Sequence, residues 1–317
     1  MTVTTTRSSS GDAAAPSRNR LPWRSRRPAT VWVEASPGAQ ATSLLLAMIC
    51  GVILFLLINL AFVSQLEHYT TQKALYSQLR LTLAEGSTPV APLSSRGKLA
   101  ALGAPVAVMQ FPTVGIGQEV VVEGTTGAQT MDGIGHRRDS VLPCQTGTSV
   151  LMARAGSYGA VGAAWAQLSP GDTFTVTMGQ GSCTYQVMDH RNAGDKAPPA
   201  PVDKEGRVVL TTASGAPFMP TDVLRIDAKL TTDSFARSGN VFPQGSLPDS
   251  EAAMGADASQ LFGLLLLLEV LVALALAGTW LWRRWGRWQT WIVITPLALA
   301  FGLLAATNLN YLLPNLL

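Results

Sequence analysis

"RVVLTTASGAPFMPTDVLRIDAKL", Arg207 to Leu230, decides the fold. It reads as two strands: Val208, Val209, Leu210, Thr211 and Thr212 form an apolar and β-branched run up to Ala213, a Gly- and Pro-containing loop follows, and Val223 to Leu230 is a second strand. Working outward, "VAVMQF", "EVVVEG", "TSVLMA", "DTFTVTM" and "CTYQVMD" have the same character, rich in Val, Thr and aromatics and divided by Gly, Pro and Asp turns. Seven or eight short strands between about Pro105 and Leu230 predict a mainly β domain closed into a barrel. "AVGAAWAQL", Ala160 to Leu168, is the one internal stretch that reads as a helix.

The flanks belong to a different solvent. Hydrophobic residues make up 47% of the 317 and charged ones 14%. The excess lies in three blocks, Ser43–Val63, Leu261–Trp282 and Thr290–Thr307. Each is near the twenty apolar residues a bilayer core requires, so three transmembrane helices are predicted, one N-terminal and two C-terminal. Roughly forty residues precede the first block, too many for the short leading region of a cleaved signal peptide. Arg26-Arg27 is followed by Pro28 and lies well before the apolar run, a poor fit to a twin-arginine signal.

Arginines set the predicted orientation. Arg7, Arg18, Arg20, Arg24, Arg26 and Arg27 precede the first helix, and Arg283, Arg284 and Arg287 link the second and third, so both regions are expected in the cytoplasm. Residues 65–258 then face the other side, carrying 14 basic and 17 acidic residues. The overall charge of +3 is therefore a topology signal and points to no nucleic-acid partner. The expected organisation is a disordered cytoplasmic tail (1–42), helix (43–63), stalk helix and linker (64–104), barrel (105–230), extended tether (231–260), helix (261–282), cytoplasmic loop (283–289), helix (290–307) and an extracytoplasmic end (308–317). In the stalk, Tyr69, Leu75, Leu79 and Leu83 recur about once per helical turn.

Five motifs in order resemble the sortase family, most closely the class E sortases of actinobacteria. "FPTVGIGQEVVVEGTT" (111–126) is similar to the strands that open the family's barrel. "GIGHRRDSVLPCQTGTSVLMARAGSYG" (133–159) is similar to its GpGHypgTalPGqpGNvviaGHRttyG-like run. "LSPGDTFTV", "CTYQV" and the opening stretch match the LkpGDeivv, ytYrV and lTLtTC…RlvV patterns. The resemblance covers roughly residues 109–230. It implies a membrane-anchored cysteine transpeptidase that cleaves a sorting signal through an attacking thiolate, with a His in proton transfer and an Arg stabilising the oxyanion or peptide. Carried over position by position, the Cys falls on Ala213, the His on Arg154 and the Arg on Arg225, which alone is kept. The resemblance thus implies the fold of an enzyme without its nucleophile and base.

Ser214 adjoins the lost nucleophile, but successive residues of a strand point to opposite faces, so it is expected to face away unless the strand bulges. Arg154 cannot serve it as a base. His136 belongs to the GpGH-like motif, separate from the family's catalytic His, and His190 lies just past "CTYQVMD". Arg225 and Arg154 are expected to give the groove two positive charges able to hold a peptide.

Of the three cysteines, Cys50 reads as an apolar filler of the first helix. Cys144 stands where the PGqpGN-like turn has Gly, and Cys183 opens a strand; both lie in an oxidising compartment and are expected to form a disulfide, two free thiols being the alternative. No metal cluster and no cofactor are expected. Glu269, mid-helix, is expected either to contact a partner in the membrane or to bond within the bundle, Asn59 being the candidate. Trp280, Trp282, Trp285, Trp288 and Trp291 fit an interfacial aromatic belt.

Two functions follow. The first is a degenerate sortase acting as a scaffold, regulatory or peptide-binding subunit of a cell-envelope complex, beside an active sortase or a surface protein bearing a sorting signal. The second is an active transpeptidase with Cys144 or Cys183 as a displaced nucleophile.

Overall fold

A computed structural model describes residues 37–93, 98–216, 218–237, 239 and 242–317. Most of the predicted tail, and 94–97 of the predicted linker, lie outside the described residues. The chain divides into two compact units, Met1–Cys50 and Gly51–Leu317. The described part of the first is helical. The barrel and the sites considered below lie within the second.

Eight strands close into a barrel: β1 (Pro105–Phe111), β2 (Ile116–Glu123), β3 (Ile134–His136), β4 (Gly147–Met152), β5 (Thr173–Met178), β6 (Gly181–Arg191), β7 (Gly206–Ala216) and β8 (Met219–Leu230), in the order β1-β2-β3-β4-β7-β8-β6-β5, with β5 returning to β1. Closure removes the unpaired edges that would invite association. The β2–β3 and β4–β7 pairs are parallel and the rest antiparallel. Sequence reading finds seven of these strands and misses β3, because three residues are too few to show an alternation. It also misses a one-turn helix, α3 (Gly127–Asp132), in a run of Gly, Thr and Gln with no apolar period.

Alternate side chains fill the barrel. Val208, Leu210, Ile226 and Ala228 point inward with Phe111, Trp165, Phe174 and Tyr185, all nearly inaccessible to solvent. The rings form a chain, Trp165–Phe111–Phe174–Tyr185, with centroids 5.9, 4.7 and 5.5 Å apart. Each such pair contributes roughly 0.5–1.5 kcal/mol beyond area burial. Trp165 enters from the short helix α4 (Val161–Trp165), which can approach β7 only because position 162 is glycine: a Cβ there would lie 1.9 Å from Thr212 Oγ1 and 2.7 Å from the Ala153 carbonyl.

Cys144 and Cys183 are joined by a disulfide with Cα atoms 5.9 Å apart, inside the core. Cys144 has φ 65°, the left-handed conformation that suits the glycine of the family pattern. Its N–H donates to the Tyr185 hydroxyl at 2.7 Å.

Three helices are long and apolar enough to cross a membrane. The first is continuous from α1 (Pro37–Ile58) through a π turn (Asn59–Val63) into α2 (Ser64–Ala84). The others are α5 (Leu261–Trp285) and α6 (Arg287–Tyr311). The end of α2 is no free stalk: Leu75 and Leu79 pack on Val108, Val120 and Val122 of the barrel's outer face, while Tyr69 of the predicted stripe is exposed. Gln72 fixes the contact, accepting from Val120 N–H at 2.8 Å and donating to the Asp132 carbonyl at 2.8 Å. The stretch after β8 is likewise bound, since Phe235 N–H donates to the Cys144 carbonyl at 2.9 Å and Glu251 pairs with Arg138.

The disulfide closes a 39-residue separation, so Cys183→Ala is expected to lower barrel stability by about 2 to 4 kcal/mol. The measurement is chemical unfolding of the full chain in detergent, followed by tryptophan fluorescence.

Candidate functional site

β7 and β8 set out the cleft. Their register pairs Ala213 with Val223 and Thr211 with Arg225. Because Leu210 and Ile226 point into the barrel, these four residues share its outer face, with Arg225 along β8 from the position opposite Ala213. Arg225 is half-buried, and among the described residues its guanidinium has no hydrogen bond or ion pair. Arg191, opposite it on β6, is instead neutralised by Asp227.

Beside Ala213 lies a cavity of about 230 Å3, lined by Ala155, Gly156, Ala163, Ala213, Ser214 and neighbours that include Phe218 and Leu317. None of its lining residues has a thiol, imidazole, carboxylate or cationic side chain. Ser214 does reach it, for a register shift between Ser214 and Gly215 bulges the strand at this point. The hydroxyl is alone there, however, with no base among the lining residues to take its proton.

Arg154 departs from the sequence expectation. It follows β4 and is expected from the sequence to charge the groove, yet its side chain is 1% exposed and is turned away under the barrel loops. Nε donates to Thr130 Oγ1 at 3.2 Å, and Nη2 donates to the carbonyls of Gly127 at 3.3 Å and Asn310 at 3.4 Å. The guanidinium lies 5.4 Å from the Tyr158 ring centroid. Burial pushes its pKa down to about 10, so it remains a cation at neutral pH. The same node reaches the long apolar helices: Asn310 Nδ2 donates to Tyr158 Oη at 2.8 Å and to Asn59 Oδ1 at 3.4 Å. Tyr158, Gly159 and Ala160 have φ of 47°, 84° and 47°, a left-handed turn that aims the Tyr158 hydroxyl at α6. Asn59 therefore partners Asn310. Glu269 is exposed on α5 and has no partner among the described residues.

His68, held by Glu119 and the Met131 carbonyl, and His136 are committed elsewhere, while His190 Nε2 has no hydrogen-bond partner among the described residues. His136 on β3 is 1% exposed, with Nδ1 2.9 Å from Glu123 Oε2 and Nε2 3.0 Å from the Val141 carbonyl. Both neighbours are acceptors, so both ring nitrogens must donate, which is the imidazolium. Burial works to lower its pKa, but the Glu123 carboxylate, its hydrogen bond and the Val141 carbonyl outweigh burial, and the net shift is upward. His136 ties β3 to β2 and to the loop at Val141, with neither ring nitrogen free. His190 pairs with Ile226 on β8, three positions along from Val223. Both sulfurs of Cys144 and Cys183 are engaged with each other in the core, which leaves neither as a thiolate.

A feature that sequence reading missed fills part of the cleft. The segment after α6 folds back onto it: Leu316 is fully buried against Met152, Ala213 and Val223. Ala155 N–H donates to the Leu316 carbonyl at 2.9 Å and Gly156 N–H to the Leu317 carbonyl at 3.2 Å. The apolar pair Leu316-Leu317 just beyond a membrane helix was the available signal, but it reads equally well as the helix's own end.

A raised His pKa contributes stability that is complete below the unfolded value, about 6.5, and is lost as pH rises through the folded value. Asp132, pushed up to about 6 first by burial and then by Glu67, adds the same trend at lower pH, since the folded state keeps a proton that the unfolded chain has released. The thermal midpoint should therefore fall steadily from about pH 4 to above 6.5. Glu123→Gln should flatten the upper part of that curve, as read by near-UV circular dichroism.

No protein-family model and no curated protein matches the chain. Solved structures similar to it are sortases of several classes. A sortase D5 transpeptidase of Clostridium perfringens has 15% identity and a TM-score of 0.43, covering 51% of this chain and 99% of that one. Sortase C of Streptococcus pneumoniae has 16% and 0.39, covering 53% and 94%. Sortase E of Streptomyces avermitilis has 20% and 0.34, covering 42% and 91%.

Proposed function

We propose that this chain is a catalytically degenerate, class E-like sortase: a multi-pass membrane protein that presents a sortase barrel outside the cell as a scaffold, regulatory or peptide-binding subunit of an envelope complex. The observation that carries the reading is the cleft beside Ala213, whose lining offers neither a thiol nor a base. Thiolate attack needs a deprotonated nucleophile, a proton acceptor and an oxyanion partner. Of these only the last, Arg225, has a counterpart.

Orientation rests on Arg283, Arg284 and Arg287 between α5 and α6, which put that turn in the cytoplasm and the barrel on the opposite side. Partners are then an active sortase, a surface protein with a sorting signal, or other envelope subunits. Glu269, exposed in mid-helix, supports a contact within the membrane, because an unpaired carboxylate facing lipid costs about 2.5–3.5 kcal/mol on insertion scales. A displaced nucleophile finds no support, since Cys144 and Cys183 are bonded to each other.

The test is the intact mass of the full chain in detergent, under non-reducing conditions, after incubation with sorting-signal peptides. No adduct is expected where an active sortase forms one. A mapped acyl adduct would overturn the reading and identify the nucleophile. If the cleft binds peptide through its free cation, Arg225→Ala should weaken binding about tenfold or more while leaving the thermal midpoint within a few degrees of the parent. An unchanged affinity would leave the scaffold role.

A further inference from the structure

We propose that the cleft over Ala213 is a binding site for an extended apolar peptide and that residues 315–317 of the chain occupy it in cis. This rests on reading the cleft as a peptide site, and it adds which ligand chemistry it takes and what controls access.

The segment is seated as a ligand would be. Leu316 supplies an apolar side chain that is fully buried against Met152, Ala213 and Val223. The main chain supplies the polar contacts: the neighbouring amides of Ala155 and Gly156 donate to the Leu316 and Leu317 carbonyls, and Ser157 Oγ adds a bond of 2.9 Å to the second. Asn315 fixes the approach. Its Nδ2 donates to the carbonyls of Ser250 at 2.7 Å and Ala252 at 2.8 Å, and its N–H donates to the Gly255 carbonyl at 2.9 Å. Every polar contact to Leu316 and Leu317 goes to their backbone, so affinity comes from the main chain and selectivity from apolar side chains.

The site is also larger than its occupant. The cavity of about 230 Å3 has Leu317 on its wall, and alanines 155, 163, 166, 213 and 216 around it leave room for further apolar side chains. A peptide arriving from outside must first displace a segment tethered to α6. Tethering over a short distance gives an effective concentration on the order of millimolar, so release of the segment strengthens binding of a free peptide by a large factor.

The experiment uses the full chain in detergent, carrying Cys50→Ser and Ala213→Cys, so that one thiol reports access to the cleft. Alkylation by a water-soluble maleimide should be at least tenfold slower with native Leu316 than with Leu316→Asp. Leu316→Met, which keeps the apolar contact, should stay slow and guards against reading misfolding as release. Equal rates for native Leu316 and Leu316→Asp would overturn occupancy in cis. A second arm follows the fluorescence anisotropy of labelled Leu-Leu-Pro-Asn-Leu-Leu, the sequence of residues 312–317, on chains that retain Ala213. Binding to Leu316→Asp at least tenfold tighter than to native Leu316 is expected. Slow alkylation with no peptide bound by either chain would overturn the peptide site. Loss of catalytic degeneracy itself would appear separately, as a covalent adduct in the mass measurement.

Discussion

A buried cation without an acid to neutralise it holds this molecule's parts in register. Arg154 gives up water for three hydrogen bonds of 3.2 to 3.4 Å and the face of Tyr158, while its Nη1 has no partner. Removing a guanidinium from water costs several kcal/mol, and what it gains is position. It binds α3 through Gly127 and Thr130, and α6 through Asn310, so the barrel and the third membrane helix meet at one residue. Asn310 passes the contact to Asn59, at the π turn of the first helix. Polar bonds of this kind are worth making near a membrane, where the alternative is an unsatisfied amide in a dry environment.

That arrangement has a consequence for the cleft. An arginine is long enough to reach α6, and its charge is satisfied by carbonyls there. With the helix in place, the segment beyond it lies along Ala213, whose small side chain leaves room for Leu316. The place of Arg154, the small side chain of Ala213 and the filling of the cleft are thus geometrically connected.

The disulfide and the His136–Glu123 pair serve the barrel in another way. Both are buried: the disulfide ties the turn at Cys144 to β6, and the His136–Glu123 pair ties the short β3 to β2, where ladder bonds are few. A barrel closed partly through parallel pairs with a three-residue strand needs such local ties, because the ladder alone is incomplete there.

The strands of the barrel and the three apolar helices were legible because each is a local pattern: alternation with period two, or some twenty apolar residues without interruption. So was the common face of Ala213 and Arg225, since it depends only on spacing along β7 and β8. The direction of the Arg154 side chain was not, because the same residue serves a groove or a clamp depending on which helix end lies within reach. Nor was the partner of Asn59: Glu269 and Asn310 are equally plausible in sequence, and only the packing of α6 against the first helix selects one. The closing step, Leu316 against Ala213, joins residues about a hundred positions apart. By itself the sequence determined which segments would be strand and which would be membrane helix, through hydrophobic spacing. Only the tertiary structure decided what fills the cleft, because that depends on where the end of α6 comes to rest.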